Sequence, residues 1–260
     1  MKYLHTILCK NEGALVADAL DWYAARNVPV YLFDNGSSDG TLADAHLRAD
    51  AGDAVWCSLY KPRAHPSKQS RTDTTVVALS EIDTQWCGAG DADELWNVDA
   101  DWLAREDLAG YNVISLPMRF FWPHEPDGLR MADMRHYTWS VAWILDGSTP
   151  DGPASHAAGR KELFRAAPYK RHINSHQVEL HERRRVHKTN ARPIDHYIVT
   201  SWGHFQNKIE SWRALLRLPR PYRLRGGWHI HRWIAGYDAG KISREWFEGR
   251  CRAARELPSI

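Results

Sequence analysis

Along the first hundred residues, continuous apolar runs alternate with segments in which apolar residues recur at helical spacing. Short apolar runs predict four strands, over residues 1–11, 28–33, 54–59 and 86–90. Apolar residues at helical spacing follow the first run, and a second stripe of this kind predicts a long helix over 67–84. Because strands and helices alternate, we expect an α/β fold in which a mainly parallel, Rossmann-like sheet is flanked by helices.

Beyond residue 101 the pattern changes character. Extended segments are predicted over 112–123, 138–145 and 161–165, and they indicate a mixed second half. The last part of the chain is rich in Arg, Trp and His and predicts a helical tail. We therefore expect one domain over 1–205, with halves 1–101 and 102–205, followed by a helical, basic and aromatic extension over 206–260.

Composition narrows the class of protein. With 260 residues, 43% of them hydrophobic, the chain can bury one large core. A net charge of +2, without an RNA-binding or zinc-finger signature, argues against a nucleic-acid partner. The cysteines show no CxxC spacing, which indicates reduced, buried thiols at Cys9, Cys57, Cys87 and Cys251. No apolar run approaches about 18 residues and no signal-peptide pattern is seen, so we expect a cytoplasmic protein.

Polar segments follow three of the predicted strands. The first is Lys10-Asn11-Glu12, the second runs from Asp34-Asn35-Gly36 to Thr41, and the third is Asp91-Ala92-Asp93-Glu94. In open α/β sheets, ligands bind at the carboxyl ends of the strands. The carboxylate of Asp34 and the amide of Asn35 can therefore accept from and donate to a base or a ribose. An ordinary strand–turn–helix corner is the alternative.

Two Asp-x-Asp pairs lie close together, and their context distinguishes them. Asp99 and Asp101 precede a helical segment and are typical of acids at a helix N-terminus. Asp91 and Asp93 instead follow a strand that contains two glycines. Two carboxylates one residue apart can share a hard divalent cation, Mn²⁺ or Mg²⁺, with diphosphate oxygens and water completing the coordination. A solvated acidic turn is the alternative.

The order and spacing of these three polar motifs resemble those of bacterial glycosyltransferase family 2, which has the GT-A fold. The resemblance implies a metal-dependent enzyme that moves a sugar, with inversion, from a nucleotide-diphosphate donor to a glycan or lipid-linked acceptor, and UDP-sugar is the expected donor. It implies that the first half binds the nucleotide sugar and the second half the acceptor. The implied nucleotide-site residues are Lys10, Asn11, Glu12, Asp34, Asn35, Gln69, Arg71 and Asp91. For Gln69 and Arg71, a solvated basic face is the alternative.

A late histidine segment extends the resemblance. Ile194-Asp195-His196-Tyr197 is similar to a His-Tyr segment of the family, which implies that His196 completes the metal site. A histidine satisfied by hydrogen bonds in the core is the alternative. His176 also resembles a family position, near the acceptor or the metal.

The sequence differs from the family at the expected general base. Inverting transfer needs a base for the acceptor hydroxyl, yet the usual Glu-Asp pair is missing, and His176, Glu179, His181 and Glu182 are the candidates. A non-catalytic glycan-binding module on a degenerate transferase scaffold is therefore the alternative function. The basic and aromatic tail can stack on sugars or contact anionic lipid at the inner face of the membrane, or its tryptophans can pack the core.

Overall fold

The computed structural model describes residues 2–51, 55–59, 68–105, 108–140, 143–144, 159–217 and 228–260. The chain forms two compact units, one of Met1–Met118 with Gly159–Asp195 and one of Arg119–Ala158 with His196–Ile260. The boundary predicted between 205 and 206 falls inside the helix Trp202–Arg217. The division into domains at that point stays a prediction.

Strands and helices alternate strictly at the start of the chain. The strands are β1 (Tyr3–Cys9), β2 (Val30–Asp34), β3 (Val55–Leu59), β4 (Trp86–Gly90), β5 (Glu94–Trp96), β6 (Val113–Phe121), β7 (Tyr137–Thr138), β8 (Arg160–Arg165), β9 (Tyr169–His172), β10 (Val178–Leu180), β11 (Val186–Lys188) and β12 (Ile194–Tyr197). The helices are α1 (Gly13–Ala24), α2 (Thr41–Asp50), α3 (Lys68–Glu81), α4 (Ala100–Leu103), α5 (Trp202–Arg217), α6 (Trp228–Asp238) and α7 (Arg244–Ala254).

The sheet of the first unit has the strand order β3-β2-β1-β4-β8-β6. β1 runs parallel to β2 on one side and to β4 on the other, and β2 runs parallel to β3. β8 is antiparallel to both β4 and β6, whereas β11 is parallel to β6. The predicted α/β class, with a mainly parallel first half and a mixed second half, is confirmed.

The parallel strands are apolar because helices cover them. Every residue of β1 is buried, as expected for a central strand of a parallel sheet. Leu4 and Leu8 of β1 pack with Phe33 of β2 and with Ala78 of α3. A second cluster joins β4, β6 and β8 to the β9–β10 hairpin, through Cys87, Val113, Phe164, Tyr169, Val178 and Leu180.

The second unit contains the last residues of β6, its antiparallel partner β7 and the three C-terminal helices. Its core is aromatic. The Trp122 ring meets Trp233 of α6 and Phe247 of α7 at centroid distances of 6.2 and 5.2 Å, and both tryptophans are at most 1% exposed. Of the roles considered for the tryptophans of the tail, the structure therefore favours core packing for Trp233.

None of the described helices is long and apolar enough to span a membrane.

The structure also tests the strand predicted over 138–145 and the state of the four cysteines. Of the strand predicted over 138–145, Thr138 belongs to β7, but the prediction is wrong at 139–140 and 143–144, where the Trp143 N–H donates to the Ser140 hydroxyl at 3.3 Å. Residues 141, 142 and 145 lie outside the described residues. The four cysteines are free thiols, as predicted, and all but the half-buried Cys57 are buried.

Candidate nucleotide and metal site

The carboxyl ends of β1, β2 and β4 meet at one edge of the sheet. The parallel register places Cys9 opposite Asp34, and Ile7 opposite Gly90. The chain runs outward from β1 to β2 and β3, and returns to β4 on the other side of β1. The strand order therefore reverses between β1 and β4, and this is the place where open α/β sheets bind ligands.

Hydrogen bonds join the turn after β1 to the turn after β2. The Asn11 side-chain oxygen accepts from the Ser38 N–H at 2.7 Å, and the Asn11 N–H donates to the Ser37 hydroxyl at 2.8 Å. The Gly13 N–H, at the start of α1, donates to the Asp39 carboxylate at 3.2 Å. The two predicted nucleotide segments thus form one continuous surface.

The buried Asp34 carboxylate shapes its own turn. It accepts hydrogen bonds from the Gly36 and Ser37 N–H groups at 3.0 and 2.9 Å, and also from the Ser37 hydroxyl. Gly36 adopts a φ of 75°, which favours glycine. The neighbouring Asn35 is buried, and its N–H donates to the Cys9 carbonyl at 2.9 Å. Contact of either side chain with a base stays a prediction.

A network of ion pairs surrounds Asp91, directly after β4. The Arg71 guanidinium of α3 donates to one oxygen of Asp91 and, at 3.4 Å, to the Gly90 carbonyl. The Lys161 ammonium of β8 lies 3.4 Å from the other oxygen of Asp91 and 2.6 Å from the Glu94 carboxylate. Burial would raise the pKa of Asp91, but the two cations outweigh it and lower this pKa to about 2.

The cluster fits a hard divalent cation. Carboxylate oxygens are the ligands that Mn²⁺ and Mg²⁺ prefer, and Asp91, Asp93 and Glu94 provide three carboxylates within four residues. The cations of Arg71 and Lys161 compensate two of these charges. A divalent cation would add two positive charges to the cluster, which suits an anionic diphosphate. The Asp91 side chain is 40% exposed and thus open to a ligand.

Aromatic side chains pack against the turn that carries Asp91 and Glu94. The Tyr23 hydroxyl of α1 donates to the Glu94 carbonyl at 3.2 Å and accepts from the Trp96 N–H at 3.3 Å. The fully buried His5 ring stacks on Tyr23 at a centroid distance of 4.4 Å. A Cβ on Gly90 would lie 2.8 Å from the His5 ring nitrogen, so a larger residue does not fit there. The glycine before Asp91 therefore permits close packing beneath the carboxylates.

The second Asp-x-Asp pair has the predicted structural role. Asp99 is the N-cap of α4, and its side chain accepts from the Trp102 N–H at 2.7 Å. Asp101 lies in the first turn of the same helix. Both carboxylates stabilise a helix N-terminus.

Of the candidate bases, His176 is the one whose surroundings include the carboxylate cluster. Its Nδ1 lies 3.2 Å from the Arg160 carbonyl. A carbonyl only accepts, so Nδ1 carries the proton and Nε2 keeps its lone pair. Burial lowers the pKa of His176, the Lys161 cation lowers it further, and the Glu94 and Asp91 carboxylates oppose this shift. The imidazole is therefore neutral at pH 7.

The two glutamate candidates have other partners. Glu179 of β10 accepts from Lys170 and Arg171 of β9 at 2.6 and 2.7 Å, and these hydrogen bonds lower the pKa of its carboxyl. The exposed Glu182 accepts from the Asn112 side chain at 2.7 Å. The lowered pKa makes Glu179 a weaker base, and Glu182 is bonded to Asn112, so these contacts favour His176. The catalytic roles of all three residues stay predictions.

The other residues predicted for the nucleotide and metal site lie in three parts of the chain. Lys10 is exposed and Glu12 half-buried, in the turn that precedes α1. Gln69 belongs to α3, but its side chain lies outside the described residues. His196 belongs to β12 in the second unit, where its ring lies 5.4 Å from that of Phe120. Ligation of a metal by His196 stays a prediction.

Three buried polar residues of this region have no role in the sequence-based hypothesis. Lys161 and Glu94 form a buried ion pair, and His172 of β9 is buried with its Nε2 3.2 Å from the Thr75 hydroxyl. Burial and the nearby Arg71 cation lower the pKa of His172 to about 3. Lys161 is one of four charged residues in β8, with Arg160, Glu162 and Arg165, so its sequence position does not single it out.

Comparisons with known proteins give matches among solved structures only. No protein-family model and no curated protein matches the chain. S. aureus TarS 1-349 in complex with UDP-GlcNAc is 13% identical, over 94% of this chain and 74% of that chain, at a TM-score of 0.47. The mannosyltransferase PcManGT from Pyrobaculum calidifontis, in complex with GDP-Man and Mn²⁺, is 14% identical over 100% of this chain and 76% of that chain, at 0.45.

A further match is glucosyl-3-phosphoglycerate synthase from Mycobacterium tuberculosis, in complex with Mn²⁺, UDP and glucosyl-3-phosphoglycerate. It is 18% identical, over 64% of this chain and 57% of that chain, at a TM-score of 0.33. Because these TM-scores lie below 0.5, what the present chain does is inferred from its own residues.

Proposed function

We propose that this protein is a metal-dependent glycosyltransferase of the GT-A fold and of family 2, which uses a nucleotide-diphosphate sugar. One observation carries the proposal. The Asp91–Glu94 turn, with its two compensating cations, follows β4 at the point where the parallel strand order reverses. A cation and a diphosphate are the ligands that this combination of charges and hard oxygens suits best.

Each segment at this edge has a distinct task. Asp91 and Asp93 would hold Mn²⁺ or Mg²⁺, which when bound offsets the charge that builds on the departing nucleoside diphosphate. The joined turns at Asn11 and Asp34 bind the nucleoside, and Arg71 orients Asp91. UDP is the expected nucleotide.

The acceptor step needs a base, and His176 takes this role. Its unprotonated Nε2 accepts the proton of the acceptor hydroxyl as that oxygen attacks the anomeric carbon, and the transfer inverts the configuration. The acceptor class we propose is a glycan or a lipid-linked glycan in polysaccharide biosynthesis, reached from the cytoplasm.

A donor assay separates this function from a non-catalytic glycan-binding module. Calorimetry with UDP and Mn²⁺ measures whether the donor site is intact, and a hydrolysis screen over nucleotide sugars measures turnover. We expect binding that requires the cation, together with slow donor hydrolysis. Absence of binding of both UDP and GDP would mean that the donor site is lost, which would contradict the transferase and favour the glycan-binding module.

Asp34→Ala tests the nucleoside position. The substitution removes the acceptor for three hydrogen bonds in the turn, so we expect the affinity for UDP to fall by about 1–3 kcal/mol, as when a buried polar partner is lost. Calorimetry measures the change. Ser37→Ala is the matched control, because it removes one of the three donors and should have a smaller effect. A dissociation constant that stays the same in Asp34→Ala would place the nucleoside elsewhere.

His176→Gln tests the base. Glutamine keeps a polar side chain but cannot take up a proton at neutral pH, so we expect turnover to fall by about 10²–10⁴-fold while the affinity for UDP stays constant. In the wild type, turnover falls as the pH drops through the pKa of His176. Because burial lowers this pKa, the acid limb lies below about 6.5. An acid limb that persists unchanged in His176→Gln would exclude this base.

A further inference from the structure

The buried ammonium of Lys161 has no task in the proposed function beyond compensating charge. Its side chain is 3% exposed, and its two carboxylate partners, Glu94 and Asp91, belong to the turn that would hold the metal. A buried charge is costly unless it is paired. The two acids compensate the charge of Lys161.

The position of Lys161 sets the charge of the cluster. Its ammonium and the Arg71 guanidinium are both bonded to Asp91, so loss of the Lys161 ammonium would make the net charge of the cluster more negative by one. A divalent cation bound by Asp91 would lie within a few ångströms of this like charge, because Lys161 is 3.4 Å from the Asp91 carboxylate. Water screens such buried charges poorly, so the repulsion is substantial.

We propose that Lys161 makes divalent-cation binding depend on the nucleoside diphosphate. This inference rests on the proposed function. The ammonium weakens the affinity of the empty site for the cation, and the diphosphate restores it by adding oxygen ligands and negative charge. Cation and nucleotide consequently bind together, and each strengthens the binding of the other by the same factor.

Binding of Mn²⁺ itself is the measurement. Electron paramagnetic resonance of free Mn²⁺ gives the affinity with and without UDP, independently of turnover. For the wild type we expect UDP to strengthen Mn²⁺ binding at least about tenfold. For Lys161→Met we expect Mn²⁺ alone to bind at least about tenfold more tightly than to the wild type, with a smaller gain from UDP.

A matched pair of variants isolates the ammonium even if Lys161→Met does not fold. Glu94→Gln and the double variant Glu94→Gln/Lys161→Met differ only at Lys161, and neither leaves the Glu94 carboxylate buried without a partner. We expect the double variant to bind Mn²⁺ alone at least about tenfold more tightly than Glu94→Gln. Lys170→Met is the control, since this half-exposed lysine pairs with Glu179 and its removal should leave Mn²⁺ binding unchanged.

The outcomes separate this inference from the proposed function. If the wild type binds Mn²⁺ with UDP but the double variant binds Mn²⁺ no more tightly than Glu94→Gln, the role of Lys161 is overturned and the donor site stands. If Mn²⁺ does not bind to the wild type with UDP or GDP, the metal site and the role of Lys161 are both overturned.

Discussion

Asp93→Ala is expected to abolish manganese-dependent turnover. Asp93 is 4% exposed in the turn after β4, and with Asp91 it forms the pair of hard oxygen ligands that we propose for the cation. Loss of one ligand leaves the charge on the departing diphosphate without compensation. Release of UDP from a nucleotide sugar, measured over a range of Mn²⁺ concentrations, quantifies the effect. Because Asp93 is buried, Asp93→Asn should be measured beside it, as a variant of equal size.

The chain provides its own control for this experiment. Asp101 belongs to the second Asp-x-Asp pair, but it is an exposed acid in the first turn of α4. Asp101→Ala removes the same charge at a helix N-terminus, so we expect it to cost a little stability and to leave turnover unchanged. Full turnover of Asp93→Ala in the presence of a chelator would show that the reaction needs no metal at this turn.

Lys161→Met is expected to have the largest effect on stability. The substitution leaves the Glu94 carboxylate, whose side chain is 1% exposed, without the ammonium at 2.6 Å. Breaking a buried pair by removing one partner costs about 3–5 kcal/mol. Urea denaturation measures the free energy of unfolding. The cost should appear as a lower midpoint with an unchanged slope.

The double variant completes a double-mutant cycle for the ion pair of Lys161 and Glu94. In Glu94→Gln/Lys161→Met no unpaired charge is buried, so we expect much of the lost stability to return. Lys170→Met, which breaks an exposed pair with Glu179, should change the midpoint little. A Lys161→Met variant as stable as the wild type would mean that the pair with Glu94 makes no net contribution to stability.

Much of the fold can be read from the sequence, because in this chain the burial pattern is local. The four parallel strands lie where apolar runs predict them, and α1 and α3 lie where helical stripes predict them, with ends that differ by a few residues. The strand predicted over 138–145 fails at 139–140 and 143–144, because a short apolar run has no periodicity that separates a strand from other conformations.

The distinction between the two Asp-x-Asp pairs also follows from sequence, because capping is a local interaction. Asp99 bonds to a backbone N–H three residues away, and the chain that follows it has helical character. By contrast, Asp34 can be recognised as a polar residue at a strand end, but not as the residue that accepts three hydrogen bonds within its own turn.

The sequence by itself determined the α/β class, the strand-end motifs and the carboxylate pair, since each depends on residues that are neighbours along the chain. Tertiary structure alone decided which charges meet there. Lys161 reaches Asp91 and Glu94 across 70 and 67 residues, because β8 pairs antiparallel with β4. Arg71 reaches Asp91 from α3. No periodicity or composition encodes such a meeting, because it depends on the order of strands in the sheet.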